Sequence, residues 1–515
     1  MPYVSGANRR EVLLLPECLD DFVGEENEAR VIDAFVEGLD LVAAGLERSE
    51  PAGTGRPAYA PGDLLKLWLW GYMNRVVSSR RLERECARNM EVIWLLRKLR
   101  PDHWTICAFR RRAGTGLKKV MREFTVFCQK LELIGGQLIA IDGTKIKASN
   151  HPAHQYSTEE LARKIAGLEA EIDAYLQGCE AADGDTAQPA PLEELQRELA
   201  DAHQLAERLQ ESARPQVAAI DPECRPMRKV GLGYNAQIAV DAAHHFIVAA
   251  DIVEASNDQQ QLVPMAEQAR EGLGQTPEQP LQVVADAGYY DRVSLAAAEQ
   301  AHFEAYVPRP QKGHGQQEGR FHKSQFVYDA AKDIYHCPGG AQLERYTQGH
   351  KRGLLVFFYA QAAACRSCSL RAQCTTAAYR RVERWEKEDV LERAEARLAG
   401  TPQMMTIRRS VVEHPFGTIK FWNHQYAFLT RGLAGVRTEL SLSVLAYNLK
   451  RLLRLVPIAE LIERFRADRR RFGRTEGRST CLEEAPGGFL CGMRALGRFF
   501  RCLCTLPQFR AALQN

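Results

Sequence analysis

The chain has 515 residues, with 68 Lys and Arg against 65 Asp and Glu, 45% hydrophobic residues and 14 cysteines. At roughly 150 residues per domain this is about three domains of chain, and 26% charged with 8% aromatic residues excludes a disordered, collagen-like or coiled-coil protein. No apolar run nears the ~18 residues of a membrane span: the densest, Leu64 to Met73, is short and contains Lys66. Met1 to Leu15, with Arg9 and Arg10 and few apolar residues before Pro16, does not read as a secretory leader. Most cysteines are therefore expected as free thiols, with room for one metal cluster. The net charge of +3 hides a strong segregation. Arg75 to Arg122 carries +10, Gln155 to Pro215 carries −9, and Gly400 to Arg474 carries +9. Two basic blocks point to a polyanion, nucleic acid first, against the alternative of solvated helix faces.

In chain order, residues 1–135 read as an all-α region. Pro61-Gly62-Asp63 starts a helix with an apolar face of Leu64, Leu65, Leu67, Trp68, Leu69 and Tyr72. Leu82, Cys86, Met90, Ile93 and Trp94 give a second face at helical spacing. Arg110, Arg111 and Arg112 then lead into Leu117 to Leu133, a pattern compatible with a helix-turn-helix-like DNA reader and expected to contact DNA. Residues 136–150 open a sheet with the run Leu138 to Ile141. Residues 151–230 interrupt it with the acidic block, where Leu161, Ile165, Leu168, Ile172 and Leu176 face Leu192, Leu195, Leu199, Leu205 and Leu209 across the breaker Ala182 to Pro191. Two such stripes predict an antiparallel helical hairpin.

The sheet resumes over 231–308. Tyr234 to Val240 and His245 to Val253 predict a β-hairpin turning at Asp241 to His244, followed by a helix over Leu262 to Leu273. Leu281 to Ala285 and Glu304 to Val307 are strands, separated by a helix over Arg292 to Ala301. The expectation is an α/β fold, a mixed sheet flanked by helices. An insertion over 309–402 carries Cys337, Cys365, Cys368 and Cys374, a candidate thiolate zinc site; buried or redox-labile thiols are the alternative. Residues 403–474 are helical and basic, with aromatics Phe421, Trp422, Tyr426 and Phe428 expected to pack mainly on the core, and an apolar helix over Ser441 to Val456. The tail, 475–515, has no readable pattern despite Cys481, Cys491, Cys502 and Cys504.

The chemistry concentrates in three acids. Ile141-Asp142-Gly143-Thr144 and Ala285-Asp286-Ala287-Gly288 each put a carboxylate just beyond a buried strand, where open α/β sheets bind ligands. Paired hard oxygens without His or Cys suit Mg²⁺ or Mn²⁺, ions that support phosphodiester displacement. Arg409, Glu413 and Lys420 fall within ~40° of one helix face at 100° per residue, although Pro415 and Gly417 interrupt the helix; an Arg–Glu surface pair is the bland reading.

These residues resemble the DDE transposases of bacterial insertion sequences, which have an RNase H-like, retroviral-integrase-like core. The likeness runs in order from Asp142-Gly143-Thr144 through Gly233 to Gln237, Val240-Asp241, Asn257-Asp258 and Asp286 to Tyr289, to Arg409, Glu413, Phe416-Gly417 and Lys420. It spans roughly Arg56 to Leu453. It implies that Asp142, Asp286 and Glu413 hold two Mg²⁺ ions and that Arg409 and Lys420 position phosphates; the tyrosine of the family signature falls at Thr406. It further implies cleavage at element ends, transfer of the 3′-hydroxyl to target DNA, and a dimer or higher assembly on terminal inverted repeats. The setting would be the bacterial cytoplasm and nucleoid. Related transposases carry a similar cysteine cluster. A metal-dependent nuclease of the same fold that does not join strands, and a non-catalytic DNA-binding regulator, are the rival readings.

Overall fold

The N-terminal helices form where capping residues and apolar spacing coincide. Asn27 caps α1 (Glu28–Gly38) and Pro61 opens α2 (Pro61–Met73), which is buried on every side. Lys66 in α2 is enclosed yet paired, its Nζ lying 2.7 Å from Asp33 and 2.6 Å from Glu37 of α1. The apolar series from Leu82 to Trp94 is two helices, α3 (Ser79–Arg88) and α4 (Met90–Leu95). Asn89 separates them: extended backbone ends α3, and its side chain accepts from Val92 N–H to begin α4. The Arg run closes α5 (His103–Arg112), and α6 (Gly114–Lys130) follows.

The computed structural model describes residues 18–47, 57–150, 154–181, 189–212, 216–310, 320–422 and 425–472. The leader reading of Met1 to Leu15, most of the breaker in the acidic block and the tail 475–515 lie outside them. The chain divides into Met1–Arg469 and Arg470–Asn515.

The central sheet has six strands, five of them long enough to frame it: β1 (Leu138–Lys147), β2 (Gly231–Asp241), β3 (Ile247–Val253), β4 (Leu281–Val284) and β5 (Phe303–Tyr306), in the order β3-β2-β1-β4-β5. The first three are mutually antiparallel; β4 runs parallel to β1 and β5 parallel to β4. A short strand, Arg225–Met227, also pairs with β2. Between β1 and β2 stand α7 (Thr158–Ala181) and α8 (Pro189–Ser212), the expected hairpin, with Leu161 and Leu209 buried. After β3, α9 (Leu262–Leu273) and α10 (Arg292–Gln300) alternate with the parallel strands. The cysteine-bearing insertion builds its own antiparallel sheet, β6 (Val327–Asp329), β7 (Ile334–His336), β8 (Gln342–Lys351), β9 (Leu354–Ala360) and β10 (Val382–Trp385), and then α11 (Glu388–Gly400).

The chain continues through α12 (Gln403–Gly417), a π-turn at Thr418–Trp422, α13 (Gly432–Leu455) and α14 (Ile458–Phe472). Almost the whole of α13 from Gly435 to Leu449 is buried, the mark of a helix inside a core. Its Asn448 side chain bonds both backbone groups of Ile247, completing the outer edge of β3. One hydrophobic cluster joins α1, α2 and α6 to Ile139, Ile141, Val283 and α13, so the N-terminal helices share their core with the sheet. No helix of the described residues is long and apolar enough to cross a membrane.

Burial corrects one expected DNA contact. Arg110 is enclosed, its guanidinium 4.4 Å from the Trp68 ring and donating to Val77 O at 3.1 Å. Arg111 and Arg112 are exposed, and Arg112 Nε lies 3.8 Å from Glu47. Arg110→Ala should therefore lower unfolding stability by about 2–4 kcal/mol, against less than ~0.5 kcal/mol for Arg111→Ala. Urea titration of both variants checks this, and equal small effects would contradict it.

Candidate active site

Strand register places the two aspartates. The parallel ladder between β1 and β4 runs Leu138 with Gln282, Ile139 with Val283 and Ala140 with Val284. Asp142 and Asp286 each lie two residues beyond that last pair, Asp142 still within β1 and Asp286 just past the end of β4, and one Arg408 nitrogen reaches both. Asp142 is not past the end of its strand, as expected, but inside it: β1 continues to Lys147 because β2 pairs with it throughout, Asp142 opposite Ile238. Only the parallel partner stops short, and that opens the crevice.

A cation already joins the pair. Arg408 of α12 puts Nη2 2.8 Å from Asp142 Oδ1 and 3.6 Å from Asp286 Oδ2, while its buried Nε has no hydrogen-bond partner. Gly143 N–H also donates to Asp142, and Gly288 N–H to Asp286 at 2.8 Å. Burial nonetheless raises the Asp142 carboxyl to about 6; Arg408 and the Gly143 N–H pull it down, while Asp286 and Asp258 push it further up.

The helix bearing Arg408 explains what else reaches the crevice. Met404, Val411, Val412 and Pro415 bury one face of α12 against the sheet, and Arg408 lies on that side. Arg409 and Glu413 are exposed. Glu413 follows Arg408 by five residues, about 140° around an α-helix, and makes no hydrogen bond or ion pair among the described residues. Lys420 does arrive: the π-turn swings its Nζ onto Thr144 Oγ1 and to 3.3 Å from Lys145 O, beside Asp142. Burial lowers its pKa and Asp142 opposes that. The structure thus brings Asp142, Asp286 and Lys420 together and leaves Arg409 and Glu413 on the outer side of α12.

The other face of β1 holds a polar cluster built from the remaining motif residues. Asp258 Oδ1 accepts from Gln237 at 2.7 Å, Asn235 at 2.8 Å and Lys145 at 3.0 Å, and Tyr289 O–H donates to Gln237. Only glycine fits at position 143, because a Cβ there would come within 2.2 Å of Gln237 Nε2 and 2.8 Å of Asp258. The cluster is satisfied and tightly packed, which fixes the strand that carries Asp142. Sequence alone assigns Arg408 no site role, and Asp258 enters only through the Asn257-Asp258 motif. The series Met404, Arg408, Val411, Val412, Pro415, at helical spacing, is the signal that sets Arg408 on the inner face.

The four cysteines line one cavity with Phe321, Phe326 and Leu343, and all are free thiols. Gly339 packs between Cys337 and Cys368, where a Cβ would sit 3.7 and 3.5 Å from their sulfurs. Burial raises the Cys374 thiol, Arg380 lowers it, and the other three cysteines raise it again. Among the described residues no group of three or more His, Cys, Asp or Glu is disposed to hold a metal ion. Of the aromatics, Phe428 packs edge-on to Tyr234 in the core, whereas Phe421 and Tyr426 are exposed.

Two family models match the chain: a transposase domain (DUF772) over residues 17–112, and a transposase DDE domain over 336–453. Both matches support a DDE-type transposase. The second match contains the four cysteines, Arg408, Arg409, Glu413 and Lys420; Asp142 and Asp286 fall between the two matches. No curated protein matches the chain. Among solved structures, a piggyBac transposase synaptic complex with hairpin DNA aligns over 90% of this chain and 87% of its own at 7% identity. Its TM-score of 0.29 is too low to bear on fold or function.

A raised carboxyl pKa means that the folded protein holds the Asp142 proton more tightly than the unfolded chain does. Stability should therefore fall as pH rises from about 4 to about 6, with the loss complete above that. In urea unfolding without divalent ions, wild type should lose about 2–3 kcal/mol relative to Asp142→Asn across this window. Parallel pH profiles for the two proteins would contradict the assignment.

Proposed function

We propose that this transposase is encoded by a bacterial insertion sequence, cuts DNA at the element's ends and transfers the freed 3′-hydroxyl to target DNA. The observation that carries the proposal is the level pair Asp142 and Asp286 with a cation between them. Its support in the fold is the sheet order β3-β2-β1-β4-β5, three antiparallel strands followed by two parallel ones, which suits an RNase H-like core. The crevice fits a divalent cation: its donors are hard carboxylate oxygens, and the chain itself supplies a positive charge, Arg408, to offset them. Asp142, Asp286 and Glu413 would hold two Mg²⁺ or Mn²⁺ ions. When bound, these would supply an activated water and charge stabilisation for in-line displacement.

The chain's own groups do the rest. Asp142 gives up its proton above about pH 6 and is then an anionic ligand. Arg408 leaves the two carboxylates, and its partnerless Nε is available to a phosphate oxygen. Glu413 must turn inward by rotation of α12 or by reach of its side chain, exchanging places with Arg408. Lys420 stays beside Asp142 as a phosphate contact, with Arg409 at the outer margin. Joining two element ends calls for a dimer or larger assembly on the DNA.

Cleavage and joining assays with Mg²⁺ test this. Asp142→Asn, Asp286→Asn and Glu413→Gln should each lower cleavage at least ~100-fold with DNA affinity retained. Cleavage without joining would favour the nuclease reading, binding alone the regulator, and full activity in all three variants would refute the site.

We also propose a structural zinc on Cys337, Cys365, Cys368 and Cys374, supported by their shared cavity. Closing the site would need the thiols to move together. Elemental analysis should find one zinc per chain, lost in Cys365→Ser with Cys368→Ser; a zinc-free parent protein would end the idea.

A further inference from the structure

A second cavity, of 120 Å³, opens between the end of α12 and the last turns of α13, lined by His414, Thr418, Tyr447, Lys450, Arg451 and Arg454. That is room for several water molecules. Its lining has three cations and three further side chains able to donate hydrogen bonds, and no carboxylate. The residue at its mouth, His414, directly follows Glu413.

The lining is organised by its own bonds. Tyr447 O–H donates to His245 O at 3.0 Å, so its oxygen accepts from His414 Nδ1–H at 3.2 Å, and the imidazole is held with Nε2 turned elsewhere. Arg451 Nε donates to His244 O at 2.8 Å, which anchors the guanidinium and leaves its two terminal nitrogens to bond elsewhere. Lys450 and Arg454, one helical turn apart, make no hydrogen bond or ion pair among the described residues. The carbonyls at the end of α13 favour cations nearby, but a helix end alone needs no concave grouping of donors around a half-buried lysine. Charge around the cavity is lopsided as well. Glu28 is the acid that acts on Lys450, opposed by Arg75 and Arg454, and Arg451 and Arg454 both bear on His414.

We infer that this cavity seats a backbone phosphate of the DNA strand entering the catalytic crevice, read by charge and hydrogen bonding without regard to base sequence. The inference rests on the transposase reading for its source of phosphate. A chain of four cationic or donor positions from Thr418 to Arg454 lies next to Glu413, so a strand held there would pass the acid that has to turn inward. Lys450 and Arg454 supply the long-range attraction, Arg451 the fixed two-pronged donor and Thr418 a hydroxyl.

The test is the salt dependence of DNA binding by the full-length protein, on element-end DNA and on unrelated DNA of equal length. Lys450→Gln with Arg454→Gln should make the slope of log K against log salt shallower by about two, equally on both DNAs. Lys332→Gln with Arg352→Gln, at exposed turns of the second sheet, removes the same charge and should leave the slope unchanged. Thermal melting confirms that both double variants fold. An unchanged slope in the cavity variant, with wild-type binding and cleavage intact, would overturn the phosphate seat and leave the transposase reading standing. A loss confined to the element-end DNA would overturn sequence-independent reading. If wild type bound no DNA, the transposase reading would fail first, and titration of inorganic phosphate would then decide the cavity. No phosphate-dependent heat would overturn it outright, and heat abolished by the double variant would leave a small-anion site in place of a DNA seat.

Discussion

Two carboxylates side by side where a parallel ladder ends repel one another, and much of the structure around them answers that repulsion. The register of β1 with β4 is what makes them neighbours, since Asp142 and Asp286 are both two residues beyond the Ala140–Val284 pair. A one-residue slip would send one acid to the opposite face of the sheet. Burial then makes the charge costly, and the carboxyl of Asp142 answers by holding its proton up to about pH 6. Arg408 lies between the acids as the compensating charge. Removing that cation without replacing it would leave an uncompensated pair in a half-buried crevice.

The rest of the fold can be seen as support for that register. β2 pairs along the whole of β1 and prevents it from ending at the acids. The Asp258 cluster locks the far face of β1, and it fits only because residue 143 is glycine. Buried α13 closes the edge of β3 through Asn448 and joins the N-terminal helices to the sheet. On the near face, the inner side of α12 holds Arg408 while its outer side presents Arg409, Glu413 and the mouth of the basic cavity.

The strands and their acids were legible because buried parallel strands are continuous apolar runs and the β2–β3 hairpin has a polar turn. The acidic hairpin was legible from its leucine stripes. Other features left weaker marks. β8 is exposed along most of its length, so Gln342 to Lys351 shows little apolar alternation, and the second sheet passed unseen. The break at Asn89 was masked because the apolar spacing continues across it. Arg110 looks like its neighbours in sequence, and only the Trp68 ring beneath it makes it a core residue. Arg408 and Arg409 are adjacent and chemically identical; which one enters the crevice depends on helix rotation set by Val411, Val412 and Pro415. The π-turn that delivers Lys420 defeats the simple 100° count.

The central claim is that Asp142, Asp286 and Glu413 surround one divalent-ion centre once DNA is bound. Substituting iron(II) for magnesium and generating hydroxyl radicals at the bound ion cuts the polypeptide at its ligands. In the presence of DNA, cuts should cluster near residues 142, 286 and 413 and be suppressed by excess Mg²⁺. Magnesium-sensitive cuts that omit all three positions, or that fall only among the cysteines of the second sheet, would contradict it.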